Sequence, residues 1–309
     1  MVDRITVVGA GHVGATAAQR IAERELAREV VVVDILEGVP QGKALDQWES
    51  APVEGFDTRV IGAQGYEETA GSGIYVVTAG LARKPGMSRD DLLRMNTEII
   101  GGISEEIARH SPDSIIIMVT NPLDVMSYVA MKKTGFDRQR VVGMAGILDT
   151  ARFRSFIALE LNVSVQDIQA LVLGGHGDSM VPIVSTVTVG GIPLTEMLAA
   201  DRIEALVDRT RKGGGEIVSL LGTGSAYYAP SSAAVQMVEA IVRDKKRILP
   251  CAAWLEGEFG LDGIFLGVPC KLGSAGLEAV LEVPLTDGEK QALNASADAV
   301  RGTMELLSL

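Results

Sequence analysis

The sequence predicts a doubly wound α/β unit with a parallel sheet, followed by a second α+β unit with antiparallel strands. Three observations support this. Short aliphatic runs alternate with helix-period segments, a glycine-rich turn separates the first strand from the first helix, and the alternation stops near residue 145. The strand runs are Arg4–Gly9, Glu29–Asp34, Thr58–Gly62, Ile74–Ala79, Ile115–Val119 and Val141–Met144. Runs this apolar belong to strands covered on both faces, as a parallel sheet requires.

Between them, Ala15–Arg28 places Ile21, Ala22 and Leu26 on one helical face. Met87–His110 and Leu123–Lys133 read as further helices, the second opened by Pro122 and ended by Gly135. Past residue 145 come a helix at Thr150–Leu161, the apolar run Ala170–Gly174 and a hairpin-like pair around Ile183–Val189. Two helices (Arg202–Leu221 and Ser225–Arg243) and two antiparallel strand candidates (Ile248–Leu255 and Ile264–Lys271) follow. Thr286-x-x-Glu289 is a capping box opening a last helix that runs to Leu307. No low-complexity linker is present, so the units are expected at 1–145 and 146–309 with a packed seam, a common place for a ligand.

Composition narrows the functional classes. The 309 residues carry 28 Lys+Arg against 40 Asp+Glu, a net charge of −12, which argues against nucleic acid or an anionic membrane surface as partner. The longest aliphatic stretch, Ile115–Val119, falls far short of the ~20 residues that cross a bilayer. The opening Met1-Val2-Asp3-Arg4-Ile5 has no secretion-signal pattern, and a cytoplasmic location is expected. Cys251 and Cys270 then read as reduced core thiols. His12, His110 and His176 are far apart and match no zinc spacing, so no metal is expected.

Gly9-Ala10-Gly11-His12-Val13-Gly14 is a G-x-G-x-x-G turn. Alone that motif is weak. Here it follows a strand and opens a helix, and a second strand ends in Asp34 twenty residues after Gly14. This is the dinucleotide (Rossmann) fingerprint. Gly9 makes the tight turn, Gly11 admits a pyrophosphate, and Gly14 allows close helix–strand packing. Asp34 suits ribose hydroxyls and repels a 2′-phosphate, which favours NAD over NADP. His12 reads as a variable position of the loop rather than a catalyst.

Leu173-Gly174-Gly175-His176-Gly177-Asp178-Ser179 sets one histidine among small and turn-forming residues. Such a setting admits a substrate, and imidazole exchanges protons near neutral pH. A lone histidine is more often a satisfied buried residue, the reading that suits His110. Asp149 and Arg152 at the junction have two readings. They are a helix cap with its i+3 partner, or else an orienting carboxylate for His176 and a bidentate clamp for a substrate carboxylate. The loop Leu81–Arg89 and Thr120-Asn121-Pro122 follow strand ends, where open α/β sheets bind ligands. From there Asn121 can reach both nicotinamide ribose and substrate.

These motifs together resemble the lactate/malate dehydrogenase family. The resemblance covers essentially the whole chain and is sharpest in the glycine loop, TNP at 120–122, LDTARFR at 148–154 and GGHGDSMVP at 174–182. The loop ARKPGMSR, with Arg83, looks like that of the lactate-dehydrogenase-like malate dehydrogenases of bacteria. The resemblance implies that His176 exchanges the proton and Asp149 orients it. It further implies that Arg152 binds the carboxylate beside the reacting carbon, Arg89 polarises the carbonyl from a closing loop, and Arg83 binds a second carboxylate. Asn121 would touch substrate and cofactor. Asn96, Val119 and Thr120, with Ala10, His12 and Val13 of the glycine loop, would line an NAD site. The implied reaction interconverts (S)-malate and oxaloacetate, a small dicarboxylate pair, in a homotetramer (dimer of dimers) or homodimer. The alternatives are a lactate or other 2-hydroxy-acid dehydrogenase and, more distantly, a non-catalytic NAD-binding regulator.

Overall fold

The computed structural model describes residues 2–81 and 89–307, the side chain of Arg89 excepted. The parallel strands are β1 (Val2–Val8), β2 (Ala27–Val33), β3 (Arg59–Ala63), β4 (Ile74–Val77), β5 (Ile115–Met118) and β6 (Val141–Gly143). The helices among them are α1 (His12–Glu23), α2 (Val39–Glu54), α3 (Arg89–His110) and α4 (Leu123–Thr134). The strands lie in the order β3-β2-β1-β4-β5-β6, so the chain reverses its direction of travel between β1 and β4. That switch point is where such sheets open a crevice.

Side-chain alternation explains the double winding. Ile74 and Val76 pack on one face with Ala17, Ala18 and Ile21 of α1. Tyr75 and Val77 point to the other, against Leu93 and Ile100 of α3 and Met126 and Val129 of α4.

After β6 come α5 (Ala145–Leu161) and five two-residue strands: β7 (Ile168–Gln169), β8 (Val172–Leu173), β9 (Val181–Pro182), β10 (Thr188–Val189) and β11 (Ile192–Pro193). Then follow α6 (Ala200–Leu221), α7 (Tyr228–Val242), β12 (Arg247–Glu256), β13 (Asp262–Gly273), β14 (Gly276–Val280) and α8 (Asp287–Met304). The last three strands do not form a sheet of their own. They extend the first one antiparallel from β6, through the pairing of Ala252 with Gly143. Among the described residues the result is one nine-stranded sheet crossing the boundary. Helix α7 also returns to cover α1, with Ser231 Oγ donating to the Val13 carbonyl at 2.8 Å.

Several elements differ from the sequence-based expectation. Helix α1 starts at His12, three residues early, because Gly11 caps it; it ends at Glu23, and the left-handed Glu25 turns the chain into β2. Helix α2 has no counterpart in the sequence reading, since Gly42 and Pro52 interrupt it and few apolar residues repeat along it. Pro122 precedes α4 as its N-cap, one residue short of the first helical position. The expected hairpin at Ile183–Val189 is instead a 3₁₀ turn (Val184–Thr186) leading into β10, and β8 pairs with β9. Residues 87 and 88 of the expected third helix lie outside the described residues. Cys251 and Cys270 are free and buried. No helix among the described residues is long and apolar enough to cross a membrane.

Candidate active site

The three glycines of the turn after β1 meet three different constraints. Gly9 has φ +106°, and a Cβ there would lie 2.7 Å from Thr78 Oγ1 and 2.8 Å from the Ala79 amide nitrogen. A Cβ on Gly14 would fall 1.8 Å from the Gly9 carbonyl oxygen, so helix and strand are in backbone contact. Gly11 meets nothing within 4 Å, leaving open space before the N-terminal amides of α1. A helix N-terminus with free amides and an uncrowded approach suits a phosphate group.

Asp34 lies one residue past β2, and its Oδ2 accepts the Ala10 N–H at 2.6 Å while Oδ1 accepts the Leu36 N–H at 3.0 Å. Each oxygen keeps a lone pair for a ribose hydroxyl. Lys43 of α2 donates to the Ala10 carbonyl at 2.6 Å and brings a cation to the same turn. No sequence cue marks Lys43, because its helix is itself illegible there. His12 stacks on Tyr227, with ring centroids 4.9 Å apart.

The loops after β4 and β5 are tied together from behind. Asn96 of α3 is fully buried, and its amide exchanges two bonds with the Leu81 backbone and donates to the Asn121 carbonyl at 2.7 Å. The residue fixes both loops. Thr120 Oγ1 donates to the Ala79 carbonyl at 2.6 Å, and Val119 is buried beside it. Asn121 is exposed at the loop tip. Arg83 lies outside the described residues, and Arg89 opens α3 with its side chain likewise undescribed.

Asp149 stands at the fifth position of α5, which begins at Ala145, so it is not a helix cap. Its carboxylate is 1% exposed and serves two partners: Oδ2 lies 2.7 Å from His176 Nδ1, and Oδ1 lies 3.2 Å from Arg152 Nη1. With Nδ1 committed, Nε2 is the imidazole nitrogen left to exchange a proton. Helix α6 passes Arg152 closely at Gly213, where a Cβ would lie 3.2 Å from the arginine Cδ.

A second carboxylate, missed in the sequence, anchors the histidine. Asp124 in the first turn of α4 accepts the His176 N–H at Oδ2, 2.8 Å away, while Oδ1 is buried without a partner. Asp124 is only three residues from Asn121, so this bond seats the His176 loop beside the loop that leaves β5. The sequence signal was there, an acid directly after TNP, but an acid opening a helix ordinarily serves the helix dipole. Burial pushes the Asp124 carboxyl up to about 6 despite its bond to the His176 amide, so it is still ionised at neutral pH.

His176 therefore sits between two carboxylates. Burial alone would lower its pKa, and Arg152 acts the same way. The charge and hydrogen bond of Asp149, with the charge of Asp124, outweigh them, and the imidazole pKa is raised above its ordinary 6.5. Asp149→Asn removes the largest favourable contribution. The His176 titration midpoint is expected to fall below 6.5, with the imidazolium losing its stabilisation across the window around neutral pH. Ring-proton NMR reads this directly. An unmoved midpoint would mean that Asp149 does not set the protonation state. His110 itself closes α3, paired with Glu106 at 3.4 Å, and takes no part in the site.

Comparison with known proteins agrees with this architecture. Residues 3–143 match the family described as lactate/malate dehydrogenase, NAD binding domain, and residues 147–307 match lactate/malate dehydrogenase, alpha/beta C-terminal domain. The malate dehydrogenase of Chloroherpeton thalassium is 65% identical over 302 residues, 98% of this chain and 97% of that one. The solved malate dehydrogenase of Salinibacter ruber is 56% identical with a TM-score of 0.94, covering 98% of this chain and 97% of that one. The lactate dehydrogenase of Cryptosporidium parvum, solved with lactic acid and nicotinamide adenine dinucleotide, is 39% identical with a TM-score of 0.96, over 99% and 98% of the two chains. The chain belongs to the lactate/malate dehydrogenase family.

Proposed function

We propose that this chain is an NAD-dependent malate dehydrogenase, interconverting (S)-malate and oxaloacetate. One observation carries the reading: a single buried carboxylate, Asp149, holds both a proton-exchanging imidazole and a guanidinium, and Asp124 seats that imidazole at the crevice of the parallel sheet. A regulator that only bound the nucleotide would have no use for this chain of charges.

The open approach at Gly11, the free amides of α1 and the Asp34 carboxylate fit a dinucleotide, with Ala10, His12, Val13, Gly14 and the residues 119–121 around it. NAD held there would supply the hydride chemistry that converts the hydroxyl-bearing carbon to a carbonyl and back. His176 Nε2 takes the malate hydroxyl proton in one direction and supplies it in the other. Asp149 stabilises the imidazolium formed in oxidation and keeps it available for reduction near neutral pH. Arg152 binds the carboxylate next to the reacting carbon in bidentate fashion. Asn121 faces both ligands, Arg89 stabilises charge on the reacting oxygen, and Arg83 takes the distal carboxylate. In this reading residues 1–145 hold the nucleotide and residues 146–309 supply the proton relay.

Malate rather than lactate is supported by relatives named malate dehydrogenase at 65% and 61% identity over nearly the whole chain. NADH oxidation measured in parallel with oxaloacetate, with pyruvate and with no substrate tests the proposal. Rapid turnover of oxaloacetate alone is expected. Faster turnover of pyruvate would make the chain a lactate dehydrogenase, and none with either would leave a nucleotide-binding protein. A homotetramer (dimer of dimers) or homodimer in the cytoplasm completes the reading. Exposed Leu45, Trp48 and Val53 on α2 and Leu220 and Leu221 at the end of α6 supply apolar surface for self-association, and the free thiols fit a reducing compartment.

A further inference from the structure

Three consecutive residues of the histidine loop have their amides held by three different elements. The Gly174 N–H donates to the Gly267 carbonyl of β13 at 2.8 Å. The Gly175 N–H donates to Ser296 Oγ of α8, also at 2.8 Å. The His176 N–H donates to Asp124 of α4. Ser296 is 1% exposed, and its own hydroxyl proton goes to Ser179 Oγ at 3.2 Å, on the far side of the same loop. One buried hydroxyl thus spans the loop, accepting from the residue before His176 and donating to the residue three after it. The fit is close: a Cβ on Gly174, at φ +86°, would lie 2.7 Å from Ser296 Oγ.

We infer that Ser296, on the last helix of the chain, is a positioning residue for His176. It fixes the loop so that the imidazole meets Asp149 and the substrate at reacting distance. The inference rests on His176 being the proton-exchanging group. Ser296 lies behind the loop, and beside it Val300 of α8 also packs against Gly175, where a Cβ would fall 2.8 Å from Val300 Cγ2. The helix is docked by Leu293, Ala297 and Val300, all in the main core. Its first turn is held separately, by Glu289, which accepts from Ser185 and caps with Thr286. Docking of the helix and anchoring of the loop can therefore be separated by mutation.

In Ser296→Ala the Gly175 N–H is left buried without a partner and the loop loses its brace. Misplacement by a fraction of an ångström lowers rate without removing ligand contacts, so kcat for oxaloacetate reduction is expected to fall about 10- to 100-fold. The NADH Kd is expected to stay within about twofold, since the glycine turn is untouched. As the imidazole drifts from Asp149, the limb of the kcat/KM–pH profile that reports imidazolium is expected to move to lower pH. Ser296→Cys, of similar volume but a weak acceptor, gives an intermediate loss, and it decides the matter by the same criteria if the alanine variant does not fold. Glu289→Gln is the control, loosening α8 without touching the loop; kcat is expected to be unchanged there whatever happens to Tm. Wild-type kcat and pH profile in the Ser296 variants would overturn the inference, as would an equal kcat loss in Glu289→Gln. A wild-type protein inactive on oxaloacetate would remove the underlying reading instead, which is a separate and visible failure.

Discussion

Replacing His176 by Asn is expected to lower turnover of oxaloacetate and malate by about 10²–10⁴-fold, the span over which a positioned acid–base group contributes. The asparagine amide can still accept or donate a hydrogen bond, but it cannot carry a proton at accessible pH. The proton and hydride transfers are linked, so both directions of reaction are expected to suffer alike. The nucleotide site proposed on β1, α1 and Asp34 is separate from the Asp149–His176 bond, so fluorescence titration is expected to give a near-wild-type NADH Kd. The substitution also leaves Asp149 with Arg152 as its remaining ionic partner. A tighter Asp149–Arg152 pair would draw the guanidinium from the substrate carboxylate, so a modest rise in KM is expected beside the large fall in kcat. A variant that kept substantial activity would show that another group moves the proton.

Arg83→Gln is expected to change the ratio of oxaloacetate to pyruvate reduction by roughly a hundredfold to a few thousandfold, measured as kcat/KM for each substrate at fixed NADH. Arg83 lies outside the described residues, and the expectation rests on the family resemblance of the sequence around it, together with the two-carboxylate substrate proposed. A guanidinium that meets a carboxylate in one substrate and a methyl group in the other discriminates by about 3–5 kcal/mol, the penalty of an unpaired desolvated charge. Glutamine removes the charge and so removes both the attraction to oxaloacetate and the penalty against pyruvate. Oxaloacetate turnover is expected to fall sharply and pyruvate turnover to rise relative to it. Unchanged oxaloacetate activity would take Arg83 out of the specificity role.

The two experiments probe different levels of the architecture. His176 is over-determined, with its ring on Asp149, its amide on Asp124 and its neighbour's amide on Ser296, so deletion of the imidazole leaves a rigid site without its proton carrier. In the proposed reading Arg83 acts in the choice of substrate, and its replacement is expected to leave the proton relay intact. The raised protonation of His176 favours oxaloacetate reduction near neutral pH, and malate oxidation is expected to gain as pH rises and the neutral imidazole accumulates.

Much of this was legible in the residues themselves. The six parallel strands could be read because buried β runs and a G-x-G-x-x-G turn with its downstream acid are local patterns, set by backbone sterics and by the need to cover both faces of a sheet. His176 could be singled out by the glycines crowded around it, whereas Asp149 and Arg152, spaced like Asp208 and Arg211, took their roles only from the family resemblance. Two features stayed hidden for physical reasons. Helix α2 has little amphipathic pattern of its own and is held by β3 and the chain around it, so the sequence reading passed over it and over Lys43 with it. Asp124, Ser296 and the bracing role of Asn96 depend on contacts between residues from 15 to 121 positions apart. An acid at a helix start, a serine in a helix and an asparagine in a helix each have commoner local explanations.

What the sequence determined unaided is therefore the inventory: the parallel sheet, the nucleotide turn, and the chemical groups able to carry a proton or clamp a carboxylate. What only the tertiary structure decided is their bonding. One sheet runs across both units, Asp149 serves imidazole and guanidinium together, and side chains from α4 and α8 hold the amides of Gly175 and His176. Periodicity along a chain reports which face a residue buries. Which polar atoms meet inside depends on how distant segments pack, because a buried donor must find its acceptor wherever the fold brings one.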